Sequence, residues 1–193
     1  STSVVVQAQP TINILLPTEG MDLCESGIFE LKAESIHANN ILWSTLGDGL
    51  FVDSSNINTE YNHGYNDKTN KGVTLKVETL PYGPACTPVN TNVKVIIHPK
   101  PEVEFDTFIS ECVPYTANFL YNDTGSLELT NVSFEWDLGD GKTANTKDAI
   151  GILYSNEGSF DVSLIVRNMD VVDGSCFTTL TKPGYVNIHP IPV

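Results

Sequence analysis

Four cysteines are the residues of this 193-residue chain whose spacing most clearly suggests chemistry. They fall in two pairs: Cys24 and Cys86 are 62 residues apart, Cys112 and Cys176 are 64. Four cysteines allow three connectivities, of which one bridge in each half, Cys24–Cys86 and Cys112–Cys176, is the simplest. Closing loops of that length contributes on the order of 4 kcal/mol in the chain-entropy account. Such bridges persist outside the reducing cytosol, so the pattern implies an exported, extracellular protein. Zinc would need closely spaced ligands, and the chain has neither a CxxC nor a histidine cluster.

Acidic turns are the next candidates. Asp137, Asp140 and Asp148, with Asp48 and Asp53 earlier in the chain, could supply hard oxygen ligands to Ca²⁺. Their spacing does not match an EF-hand loop, and Asp and Gly are also simply good turn formers. No other cofactor is indicated. Tyr61, Tyr65 and Tyr82 lie in or near turns, where a row of exposed aromatics would stack against a carbohydrate ligand. Of the four histidines, His98 and His189 share an Ile-His-Pro context, which suits a structural position better than a single catalytic centre. A nucleophile elbow, a phosphate-cradling glycine loop and HExxH are all missing. Carboxylates are plentiful, but glycoside hydrolysis depends on a spatial separation that nothing in the spacing marks. The residues assemble no catalytic constellation, and the expected protein is not an enzyme.

The elements that carry these residues repeat. Val93-Lys-Val-Ile-Ile-His98-Pro99 resembles Tyr185-Val-Asn-Ile-His189-Pro190, with a weaker copy at Val4–Pro10. Cys24 answers to Cys112, Trp43 to Trp136, Gly47-Asp48-Gly49 to Gly139-Asp140-Gly141, and Cys86 to Cys176. Landmarks recurring in one order at about 90 residues read as two copies of one structural unit. Residues 11–99 and 100–193 are the expected domains, and residues 1–10 the end of a preceding repeat or a linker. Pro99-Lys100-Pro101 and Pro190-Ile191-Pro192 form short linkers stiffened by proline.

Within each copy, apolar residues alternate with polar ones, as in half-buried strands. Val73, Leu75 and Val77 share a face, as do Phe134, Trp136 and Leu138, and Phe160, Val162, Leu164 and Val166. Further strands are expected at 28–34, 41–46, 93–98, 115–121 and 185–189, and no segment shows sustained helical spacing. Short strands with regular turn signals favour an all-β fold of two tandem immunoglobulin-like sandwiches. Each tryptophan is expected in a core, where it buries roughly 150–250 Å².

Charge narrows the partners. The chain carries 10 basic and 24 acidic residues, for a net charge of −14. Nucleic acid is excluded as a partner, because affinity for it comes from Lys and Arg neutralising phosphates. An anionic membrane is disfavoured for the same reason. No apolar run reaches the roughly 18 residues needed to cross a bilayer, so direct membrane insertion is not expected.

Two family resemblances follow from these motifs. Trp136-Asp-Leu-Gly-Asp-Gly141, then Tyr154, then Gly158-Ser-Phe160-Asp-Val-Ser-Leu-Ile-Val-Arg-Asn168 resembles the PKD domain, an immunoglobulin-like module. Leu138 replaces the usual Phe of that pattern. Leu42-Trp-Ser-Thr-Leu-Gly-Asp-Gly-Leu-Phe51, followed by Tyr61 and Val73-Thr-Leu-Lys-Val77, is similar to repeats of the giant gliding-motility adhesins of Bacteroidetes. That resemblance implies type IX secretion, display on the outer cell surface and a long stalk of repeats. Its partners would be neighbouring repeats of the same chain and a surface polysaccharide or other cell-surface component. PKD domains also occur as accessory modules of secreted polysaccharide- or protein-degrading enzymes, which is the alternative reading.

Overall fold

The computed structural model describes residues 8–38, 40–80, 87–105, 108–125 and 129–192. The chain divides into two compact units, Ser1–His98 and Pro99–Val193.

In the first unit, one sheet is formed by β1 (Thr11–Leu16), β3 (Phe29–Ile36), β6 (Asn58–Asn62) and β5 (Leu50–Phe51), in the order β1-β3-β6-β5. The second is formed by β2 (Met21–Cys24), β8 (Asn90–His98), β7 (Gly72–Leu80) and β4 (Asn40–Thr45), in the order β2-β8-β7-β4. Period-two alternation decides which side chains face inward. β3 turns Phe29, Leu31 and Ala33 inward, β4 Ile41 and Trp43, β7 Val73, Leu75 and Val77, and β8 Val93, Val95 and Ile97. These faces meet in one apolar cluster that also includes Tyr61. Most neighbours are antiparallel, but β2 runs parallel to β8, with Cys24 opposite His98.

One element departs from the sequence expectation. A single helical turn, α1 (Tyr65–Thr69), precedes β7. Five residues are too few for a periodic signal, and the turn is held by contacts from elsewhere in the unit. The amides of Asn66 and Asp67 donate to the Asp48 carboxylate, and the Gly64 amide donates to Asp67 Oδ2 at 2.9 Å.

The second unit repeats the plan with a larger principal sheet. β10 (Ile109–Cys112), β17 (Phe177–His189), β16 (Gly158–Asn168), β13 (Val132–Asp137) and β14 (Thr143–Ala144) lie in the order β10-β17-β16-β13-β14. The other layer is made of two pairs: β11 (Tyr115–Phe119) with β15 (Ala149–Tyr154), and β12 (Tyr121–Asn122) with β9 (Glu104–Phe105). β10 runs parallel to β17, with Cys112 opposite His189, the same register as Cys24 and His98. Val162, Leu164 and Val166 of β16 pack with Trp136, Leu138, Phe105, Phe119 and Tyr154 in a second cluster. Both units are immunoglobulin-like β-sandwiches, and α1 is the only α-helix among the described residues.

Candidate functional site

The tryptophans stand at matching places. Trp43 is buried in β4, and its indole N–H donates to the Asn56 carbonyl at 3.0 Å. Trp136 is buried in β13 and donates to the Thr146 carbonyl at 3.1 Å. Phe105 meets the Trp136 ring edge-on at 5.2 Å, and Phe51 stacks on Trp43 at 6.3 Å. Satisfying the one polar atom of each indole lets both rings serve as core, as their alternation suggests.

Tyr61 is not a surface platform. It is fully buried in β6, where its hydroxyl donates to Asp67 Oδ2 at 2.6 Å and accepts from the Gly49 amide at 3.0 Å. Thr45 Oγ1 lies 3.1 Å from the same oxygen. Burial, and then the Asp67 hydrogen bond, push the Tyr61 phenol up to about 12. The expectation that Tyr61 could bind a ligand is corrected: register puts its ring inward, opposite Phe29 and Phe51. Tyr65, the first residue of α1, is 78% exposed and remains on the surface. Tyr82 lies outside the described residues.

Asp67 is the functional-looking residue that sequence reasoning did not single out. Its carboxylate is 1% exposed and accepts from the Tyr61 hydroxyl, the Gly64 amide and the Asp48 amide. A buried carboxylate is tolerable only with such a set of donors. The sequence signal for it is slight, since an Asp after Gly-Tyr-Asn reads as an ordinary turn residue.

The three aspartates considered for calcium do separate local work. Asp137 Oδ1 accepts the Gly139 amide at 3.0 Å, and Asp140 Oδ1 accepts the Lys142 amide at 3.1 Å. Asp140 Oδ2 pairs with the Lys142 ammonium. Asp148 Oδ1 accepts the Tyr121 amide at 2.9 Å, tying β12 to the turn before β15. No group of three or more His, Cys, Asp or Glu side chains suited to a metal ion occurs among the described residues. In the first unit, Asp48 is held below the usual carboxylate range by the Asn66 amide and then the Asp67 amide, against its own desolvation. Asp53 is lowered by the Ser55 hydroxyl and then the Ser55 amide.

The histidines at the strand ends are structural. His98 Nε2 meets Asp22 Oδ1 at 2.7 Å, and His189 Nε2 meets Ser110 Oγ at 3.1 Å. Each thereby ties the last strand of its unit to its parallel neighbour.

The cysteines correct one expectation. Cys24 and Cys176 are disulfide-bonded, whereas Cys112 is a free, exposed thiol. The Cys112–Cys176 bridge is therefore not formed. The reason lies in the register. Cys112 pairs with His189 at the far end of β17, and Cys176 immediately precedes Phe177 at the near end of that strand. At about 3.3 Å per residue the two are more than about 30 Å apart, whereas a bridge needs Cα atoms within about 7 Å. Similar spacing in two repeats marked equivalent places but not adjacent ones. The expected Cys24–Cys86 bridge involves Cys86, which lies outside the described residues.

This geometry defines a pair of immunoglobulin-like sandwich modules whose chemically capable side chains mostly hold the fold. Comparison with known families agrees for the second module: residues 98–181 match the sequence model of the PKD domain. No curated protein matches the chain. Among solved structures, the chain is similar to the fibronectin(III)-like modules of Clostridium thermocellum CbhA. That match is 12% identical, covers 93% of this chain and 95% of that one, and has a TM-score of 0.39. It is also similar to immunoglobulin domains 1–4 of sidekick-1, at 12% identity and TM-score 0.47, covering 98% of this chain and 51% of that one. Against the insect immune protein hemolin the values are 8% and 0.46, covering 97% and 49%. The chain thus spans about half the length of the last two.

A PKD domain, an immunoglobulin-like fold and a disulfide fit an extracellular structural or adhesive module. No helix among the described residues is long and apolar enough to cross a membrane.

Proposed function

We propose that this chain is a non-catalytic structural and adhesive repeat segment of a large secreted cell-surface adhesin, serving surface adhesion and gliding motility. The observation that carries the reading is the repetition of one plan in both units, down to the Trp anchor and the parallel pairing of Cys24 with His98 and of Cys112 with His189. A module built to be joined in series needs a sturdy core and defined ends rather than a cleft. Tyr61 and Asp67 serve the first requirement, and Asp137, Asp140 and Asp148 hold the turns between strands. Its partners are neighbouring repeats and a surface polysaccharide or other cell-surface component, and its place is the outer cell surface after type IX secretion.

The test is the complete gene product and a strain that lacks it. The account expects further repeats of about 90 residues beside these two, labelling of intact cells by an antibody to this segment, and loss of adhesion and gliding on deletion. An adjoining catalytic domain, with adhesion unchanged on deletion, would contradict it. Exposed Tyr65 favours the second reading, an accessory module of a secreted polysaccharide- or protein-degrading enzyme. Binding to an insoluble polysaccharide that Tyr65→Ala abolishes would support that reading instead.

A further inference from the structure

A cavity of about 410 Å³ opens within the first unit, lined by Leu46, Asp67, Asn70, Lys71, Thr74 and Lys94 among others. That size falls in the roughly 300–1,000 Å³ of ordinary small-ligand sites. One wall is fixed in place. Asp67 is 1% exposed and accepts from the Tyr61 hydroxyl and from the Gly64 and Asp48 amides. Gly47, on the same wall, lies so close that a Cβ would stand 1.7 Å from Asp67 Oδ1. Two cations border the cavity in a chain of net charge −14. Lys32, Lys76, Lys142, Arg167 and Lys182 are each paired with a carboxylate, whereas Lys94 has no such partner among the described residues. Lys71 holds a left-handed backbone, with φ of 54°, which residues other than glycine seldom adopt. Leu46 adds a large apolar side chain that is 85% exposed.

We propose that this cavity is a saccharide site that takes one uronic acid residue, its carboxylate held by Lys94 and Lys71. Asn70 and Thr74 bring an amide and a hydroxyl to the ring hydroxyls, and Leu46 covers one C–H face of the ring. An ammonium left unpaired amid 24 acidic residues is the group that draws an anion from outside. The same surplus of carboxylates limits the ligand, because a polyanionic chain is repelled along the rest of the surface. The acidic sugar therefore stands alone in, or at the end of, an otherwise neutral glycan. The fixed wall leaves little to be ordered when the ligand enters. An acidic peptide also carries carboxylates, but it lacks the clustered hydroxyls that suit Asn70 and Thr74. The inference deepens the reading of a surface polysaccharide as partner and rests on it for the ligand's being a sugar.

The test titrates the isotope-labelled 193-residue chain with the methyl glycosides of glucuronic, galacturonic and mannuronic acid, followed by amide NMR. Methyl glucoside is the neutral counterpart, and N-acetylglutamate stands for an acidic peptide. At least one uronide should shift the amides of Leu46, Gly47, Asn70 and Thr74 saturably, and the glucoside and N-acetylglutamate should not. Lys94→Ala should weaken that binding roughly fivefold, and Lys94→Glu should abolish it. Lys71→Gly suits the left-handed backbone, so it should leave the far-ultraviolet circular dichroism unchanged and still weaken binding. Lys147→Ala, in the second unit, should leave binding unchanged. The proposal is overturned by no shift with any uronide, by shifts mapped away from the cavity, by binding indifferent to Lys94→Glu, or by a preference for N-acetylglutamate. The two readings fail separately. Uronide binding by a chain whose deletion leaves adhesion unchanged sinks the adhesin and keeps the site, whereas an adhesin that takes no uronide sinks the site alone.

Discussion

Gly47-Asp48-Gly49 and Gly139-Asp140-Gly141 are the same three letters at matching places in the two units, and they are glycine-bound for different reasons. In the first unit neither glycine has a positive φ; the constraint is proximity. A Cβ on Gly47 would stand 1.7 Å from Asp67 Oδ1, and one on Gly49 would stand 2.5 Å from Tyr61 Oη. In the second unit Gly139 and Gly141 have φ of +77° and +86°, and a Cβ on Gly141 would meet nothing within 4 Å. The first turn is shaped around a buried Tyr61–Asp67 pair and lends Asp48 to α1. The second needs a left-handed backbone at both glycines, with Gly139 also pressed against the Asp161 carbonyl at 2.3 Å, and its Asp140 serves the turn's own Lys142. The tyrosines follow suit. Tyr61 donates to a carboxylate, whereas Tyr154, equally buried, donates to the Leu138 carbonyl at 2.8 Å. Similar sequence thus hides an internal network built on a side-chain carboxyl group in one unit and on a backbone carbonyl in the other.

The largest expected effect is where the units agree. Trp43→Ala and Trp136→Ala should each cost about 3–5 kcal/mol by cavity formation, measured by urea unfolding of each variant followed by far-ultraviolet circular dichroism. A marked inequality would mean that one indole is not core. The glycines should then divide the units. Gly141→Ala should cost about 1–2 kcal/mol, the strain of a left-handed backbone. Gly47→Ala should cost more than Gly141→Ala, because it displaces a buried carboxylate; equal losses would remove the distinction drawn between the turns.

Titration is gentler. Tyr61 is raised to about 12 by burial and then Asp67, Tyr121 to about 12 by burial and then Asp123, and Tyr154 by burial and then Asp140. A raised phenol favours the neutral form in the folded state. Its stabilising contribution is complete below the unfolded value of about 10 and is lost as pH rises through the folded one. Absorbance at 295 nm should therefore show a late-titrating tyrosine class whose ionisation coincides with alkaline unfolding above about pH 10. The smallest effect is in acid. Asp48 is depressed in the folded state, so its contribution is present above the ordinary carboxylate range and fades as pH falls through its lowered value. Asp48→Asn should flatten the acid limb of the first unit's melting temperature and leave the second unit's limb in place.

Much of this architecture was legible in the residues. The strand expected at 93–98 forms the end of β8, and the alternating faces of Val73, Leu75 and Val77 and of Val162, Leu164 and Val166 are buried as their period requires. The tryptophans resolve as core for the same reason. The cysteine pairing was not legible, because a 64-residue interval gives no register, and it is the parallel β10–β17 ladder that sends Cys112 and Cys176 to opposite ends. Tyr61 misled because a tyrosine beside Asn and His reads as loop, while its place in β6 turns the ring inward. Asp67 and the single turn of α1 left no periodic trace, being fixed by partners distant in sequence.

That the chemically capable side chains of the first unit hold its fold is tested most directly by a double-mutant cycle of Tyr61→Phe and Asp67→Asn, read by urea unfolding at neutral pH. The account predicts that each single change destabilises and that the two are coupled by about 1–3 kcal/mol. Additive losses, or a Tyr61→Phe variant as stable as the parent, would contradict it.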